Sequence, residues 1–151
     1  MSAPATRMTE EQVQEDLMRL EAYRNQLNSL LQQHQILTAS RQDHVRARES
    51  LEGVDRSPVS AELLLPLGGE TFVRGSVDRE ASVLVGVGSG VVVEMDRPKV
   101  VELLAERTGR IEQALGDLEG QMTTIDERIQ ALSQRLDRAA RESGAADVGS
   151  D

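Results

Sequence analysis

No cysteine occurs in the chain, so a disulfide framework and a thiolate metal centre are both excluded. Tryptophan is absent too, and the aromatics are Tyr23 and Phe72 alone. A compact globule of 151 residues carries more large rings than this, so the scarcity favours an elongated helical shape packed with Leu, Ile and Val. Lysine is nearly missing: of 17 basic residues only Lys99 is Lys, against 26 acidic ones and a net charge of −9. That balance argues against nucleic acid, which demands a basic patch, and against adhesion to a membrane surface. No apolar run approaches spanning length and no basic-then-apolar leader opens the sequence, so the expected location is the cytoplasm. An acidic, lysine-poor surface also fits adaptation to high salt, although a coding bias toward arginine produces the same preference.

What is present divides into three parts around two domain-joining breaks. Residues 1–9 read as a loose tail. Residues 10–52 contain neither Pro nor Gly and are dominated by helix formers. Thr9 stands as cap, with Glu11 and Gln12 in the first turn. At 1.5 Å per residue this helix is about 65 Å long. Val13, Leu17, Leu20, Leu27, Leu31 and Val45 are expected to form its heptad seam, with a neighbouring stripe of Tyr23, Leu30, Leu37 and Leu51.

Gly53 and Pro58 stop that helix, and residues 53–96 change character. Short Leu and Val runs alternate with glycine punctuation, predicting one β-hairpin over about 63–77 and another over about 82–95 that turns around Gly88–Gly90. Pro66 places the first strand at an edge or bends it. Isolated hairpins are marginal in water. Their valines are therefore covered either by each other or by a sheet completed with other subunits.

A second helix is expected over 97–142, with Asp96 as cap and Pro98 in the first turn. Its seam is the clearest pattern in the chain: Leu104, Thr108, Ile111, Leu115, Leu118, Met122, Ile125, Ile129, Leu132, Leu136 and Ala139 follow steps of three and four. Gly109, Gly116 and Gly120 all fall off it. Residues 143–151 read as a polar tail. The fold class is α+β. Two helices of matched length, each with one apolar seam and joined by a reversing β-region, predict a long antiparallel coiled-coil hairpin; parallel pairing with other chains is the alternative. Both termini then share one tip, far from the β-base.

The wording of the centre carries a resemblance. Leu64-Leu65-Pro66-Leu67-Gly68, Phe72-Val73-Arg74-Gly75, Val83-Leu84-Val85-Gly86-Val87-Gly88-Ser89-Gly90 and Val93-Glu94, set between two coiled-coil helices, resemble the prefoldin (GimC) alpha subunits, the archaeal ones most. Val91-Val92 departs from the aromatic that relatives often place there. The acidic surface would suit a salt-loving archaeon. The resemblance implies two alpha and four beta subunits sharing a double β-barrel base, with six coiled coils projecting from it. It also implies an ATP-independent holdase that grips non-native proteins at its tips and delivers them to a group II chaperonin. Carried onto this chain, assembly would use Leu63, Leu65, Leu67, Phe72, Val73, Val83, Val85, Val87, Val91 and Val93. Client contact would use Met8, Val13, Leu17, Met18, Leu20, Leu132, Leu136 and Ala139. For Leu17, Leu20, Leu132 and Leu136 the plainer reading is that they hold the helices together. Met8 and Met18 lie off or beyond the seam and suit irregular partners.

No catalytic constellation or cofactor motif emerges, and an enzyme is not expected. His34 and His44 lack metal-ligand spacing. Gly86, Gly88 and Gly90 imitate a phosphate loop, but no Lys-Ser/Thr follows and the next segment is strand. The competing function class is a coiled-coil scaffold that joins specific folded partners.

Overall fold

The element order is α1 (Glu10–Asp55), β1 (Ser60–Gly68), β2 (Thr71–Asp78), β3 (Val83–Gly88), β4 (Val91–Met95) and α2 (Arg97–Asp147). The computed structural model describes residues 7–147. The chain divides into two units. One joins α1 up to Ile36 with α2 from Leu115 onward, and the other is Leu37–Ala114.

In the first unit the start of α1 is closed by a reciprocal cap. The Thr9 N–H donates to Gln12 Oε1 at 3.0 Å, and the Gln12 N–H donates back to Thr9 Oγ1 at 3.2 Å. Two of the donors that a helix start leaves unsatisfied are thereby met. The α1 and α2 segments run antiparallel here, because Asp16 meets Arg135, Tyr23 meets Arg128 and His34 meets Glu119. Leu20, Leu30, Leu118 and Ile125 are buried between them.

The α2 seam is the expected one: every position from Leu104 to Ala139 is buried or half-buried. The α1 seam is not. The protected positions run Val13, Asp16, Leu20, Tyr23, Leu27, Leu30 and His34, whereas Leu17 and Leu31 lie outside, 51% and 39% exposed. Both registers obey three-four stepping, so periodicity alone does not choose. The observed register covers Tyr23, Leu30, Leu37 and Leu51 while Val45 stays half-buried; the other would cover Leu17 and Leu31. Each additional large apolar side chain contributes about 2 kcal/mol. Its drawback is Asp16, only 2% exposed. Arg135 Nε lies 2.9 Å from Asp16 Oδ2, a close ion pair but poorly aligned as a hydrogen bond.

In the second unit α1 continues through Gly53 to Asp55, three residues past the expected stop. Val54 is buried, and its packing outweighs the weak helix preference of the glycine before it. The helix is finished by the Arg56 N–H donating to the Glu52 carbonyl and the Ser57 N–H to that of Val54. At the other end, the Val100 N–H donates to the Asp96 carbonyl and starts α2. In the first unit α2 extends past residue 142 to Asp147.

The strands form two separate two-stranded antiparallel sheets, β1-β2 and β3-β4, and they close no barrel among the described residues. Leu65 pairs with Val73 and Leu63 with Gly75; Val85 pairs with Val93 and Val83 with Met95. Each hairpin shifts register just before its turn, between Pro66 and Gly68 and between Gly86 and Gly88. Both turns are made the same way. Gly68, Gly69 and Glu70 have φ of 100°, 55° and 60°; Gly88, Ser89 and Gly90 have 113°, 51° and 75°. Two positive-φ residues at the apex match the twist of the flanking strands. The wider angle at Gly68 and Gly88 is strained for any residue with a Cβ.

Candidate functional site

Two surfaces carry the apolar side chains that the fold leaves uncovered. The first is on the hairpins. The inner face of β3-β4 is anchored: Val85, Val100 and Leu104 form a buried cluster, flanked by Leu51, Val83, Met95 and Leu103. The Arg107 guanidinium donates to the Gly86 carbonyl at 2.9 Å and holds the hairpin from α2. The rest is open. Of the ten residues assigned to assembly, only Val85 is buried and Leu63 and Val83 are half-buried. Leu65, Leu67, Phe72, Val73, Val87, Val91 and Val93 are exposed. Leu64, Leu84 and Val92, which were not assigned to assembly, are exposed as well. The signal for them was present: these runs are apolar at consecutive positions, which is the pattern of a strand covered on both faces. Among the described residues each strand also keeps one edge without a neighbour, since each sheet has two strands. Apolar area of this extent, beside open edges, marks an interaction surface.

What fixes the hairpins to the helices is Arg97, which the sequence marked only as a helix start. It is 6% exposed. Its Nη1 donates to Asp55 Oδ1 at 2.7 Å, and its Nη2 donates to the carbonyls of Asp78 and Ala81 at 3.0 and 3.3 Å. One planar fork therefore gathers the end of α1, the end of β2, the loop before β3 and the start of α2, a task suited to the five fixed donors of arginine.

The second surface is at the end of the first unit where α1 begins. Met18 is 66% exposed and Leu17 about half. Met8 is half-buried and, with Arg135, Arg138, Ala139 and Glu142, lines an open cleft of about 240 Å³. Val13, Leu132, Leu136 and Ala139 are half-buried in the seam, and Leu20 is buried within it. Leu20 therefore serves the helix pair. Leu31 and Ile36, which belonged to no assigned site, are exposed on α1.

The histidines are accounted for locally. His34 Nε2 lies 3.1 Å from Glu119 Oε1. His44 Nδ1 donates to the Ser40 carbonyl at 2.7 Å, which places the proton on Nδ1 because a carbonyl only accepts. Among the described residues no group of three His, Cys, Asp or Glu side chains is arranged to hold a metal. No helix among them is long and apolar enough to cross a membrane.

Comparison with known proteins matches this architecture. The prefoldin subunit family model matches residues 23–142. Prefoldin subunit alpha of Nitrosopumilus maritimus is 25% identical over 140 residues, covering 91% of this chain and 96% of that one. That of Archaeoglobus fulgidus is 28% identical over 134 residues, covering 89% and 96%. That of Methanopyrus kandleri is 30% identical over 114 residues, covering 73% of each. Among solved structures, the prefoldin beta subunit from Thermococcus strain KS-1 aligns with a TM-score of 0.64 at 25% identity, covering 89% of this chain and 96% of that one. Filamentous PFD from Methanocaldococcus jannaschii aligns with the same score at 18% identity, covering 81% and 98%, a likeness of fold. With the family model spanning most of both helices and all four strands, the chain belongs to the prefoldin subunit family.

Proposed function

We propose that this chain is the alpha-type subunit of an ATP-independent holdase that captures non-native proteins and passes them to a group II chaperonin. Family membership makes it a chaperone subunit; the capture and hand-over are the finer reading. The observation that carries it is the uncovered apolar sheet of the hairpins. Leu64, Leu67, Phe72, Leu84 and Val92 are each more than half exposed, so the sheet is complete only when other subunits cover it. Beta-type subunits are the natural partners, in a hexamer of two alpha and four beta chains. In that assembly the helix ends are repeated six times. Weak apolar contacts at Met8, Leu17 and Met18 of the two alpha chains then act together with the helix ends of the beta chains, and no single site need bind tightly. The cytoplasm is the compartment that fits such a role.

The test has two arms. Co-purification from the native cell followed by native mass measurement is expected to give a hetero-hexamer with a smaller coiled-coil subunit. Deleting residues 1–20 with 132–151 is expected to keep that oligomer while abolishing suppression of aggregation of an unfolded protein. Full suppression by the truncated assembly overturns the assignment of the helix ends. Stoichiometric binding to one folded partner, without protection of unfolded ones, points instead to a scaffold.

A further inference from the structure

Within the first unit the exposed large apolar side chains described on the helices all belong to α1: Leu17, Met18, Leu31 and Ile36. Leu17 and Leu31 are two heptads apart and occupy the same position beside the seam. Arg24 stands midway between them at that position, exposed and in no ion pair among the described residues. A helix that pairs with one partner has a narrow two-position seam, whereas a third apolar position widens the face to suit a further helix.

We infer that the Leu17–Arg24–Leu31 flank of α1 is a docking strip for an amphipathic helical segment of a non-native protein, with carboxylates between its apolar positions. The inference rests on the holdase reading and specifies its client. Leu17 and Leu31 are about 21 Å apart along the helix. A second helix laid alongside repeats its apolar residues at the same spacing and sets its middle residue against Arg24. Unfolded chains carry such nascent helices. A second copy of this chain is the wrong occupant. Arg24 is the midpoint of the strip, so self-pairing in either direction sets Arg24 on Arg24. The net charge of −9 disfavours an acidic segment on the surface at large, and Arg24 offsets that repulsion at the strip.

The test uses the full-length assembly and two fluorescent 21-residue amphipathic peptides that differ only in Glu or Lys between their leucines. Anisotropy is expected to show the Glu peptide binding about fivefold tighter at low salt, with the difference closing in molar salt. Arg24→Glu is expected to reverse the preference, and the Leu17→Ser/Leu31→Ser double variant to weaken both peptides. All these side chains are exposed, and an unchanged helical circular dichroism spectrum checks folding. Equal affinity for both peptides, or a preference untouched by Arg24→Glu, overturns the strip. Aggregation of a guanidinium-unfolded enzyme is followed in parallel. Loss of suppression in the wild-type assembly counts against the holdase reading, while the peptide comparison decides the strip in either case.

Discussion

The last residue of α1 and the first residue of α2 are locked together: Arg97 Nη1 lies 2.7 Å from Asp55 Oδ1, with the arginine buried and the aspartate half-exposed. The same guanidinium also donates to the Asp78 carbonyl at the end of β2 and to the Ala81 carbonyl in the loop before β3. Replacing Arg97 with Met is expected to lower stability by about 1–2 kcal/mol, because the Asp55 carboxylate and the Asp78 and Ala81 carbonyls lose their donor. Arg97→Lys is expected to recover only part, since a point charge cannot reproduce the fork. Urea unfolding followed by circular dichroism measures both.

The register of α1 is tested by two adjacent leucines. Leu30 is 6% exposed and Leu31 lies on the flank. Leu30→Ala is expected to cost about 3 kcal/mol, and Leu31→Ala less than about 1 kcal/mol. Equal losses in thermal unfolding would place the seam between the two registers.

Asp16 occupies a seam position that a hydrophobe would fill. Its partner Arg135 is about half-exposed and returns to water easily. Asp16→Leu is therefore expected to raise stability by about 1–2 kcal/mol, read as a higher unfolding midpoint. A lower midpoint would show the ion pair to be a net stabiliser.

Leu84 is 72% exposed on the outer face of β3-β4. Leu84→Lys is expected to leave the helical spectrum of the chain intact while shifting native mass toward smaller species, because a lysine on a sheet face or edge resists pairing. Unchanged mass would remove that face from the assembly surface.

The surplus of acidic side chains offers a salt dependence. If the surface is adapted to high salt, the unfolding midpoint rises between low and molar salt as the repulsion is screened. Equal midpoints would leave the arginine preference as a matter of coding bias.

The legibility of this fold followed the strength of local signals. The α2 seam was readable because ten of its eleven positions from Leu104 to Ala139 are apolar. The turns were readable because positive φ at Gly68 and Gly88 demands glycine. On α1 two registers were nearly balanced, and the deciding term was the company of Tyr23 and Leu30, which periodicity does not weigh. Asp16 and Arg97 were missed for a common reason. A charged residue reads as surface until its partner, far along the chain, is brought beside it. The Leu and Val runs of the hairpins are apolar at consecutive positions, the pattern of burial on both faces, yet of the ten positions assigned to assembly only Val85 is buried.

The crossings between the helices also differ in the length of chain that each encloses. Arg97 reaches Asp55 across 42 residues, Arg41 reaches Glu112 across 71, and His34 reaches Glu119 across 85. Doubling the enclosed length adds about 0.6 kcal/mol of closure entropy. Each long crossing is easier once the shorter one inside it has formed. Loop entropy therefore favours closing the crossing nearest the β-hairpins first.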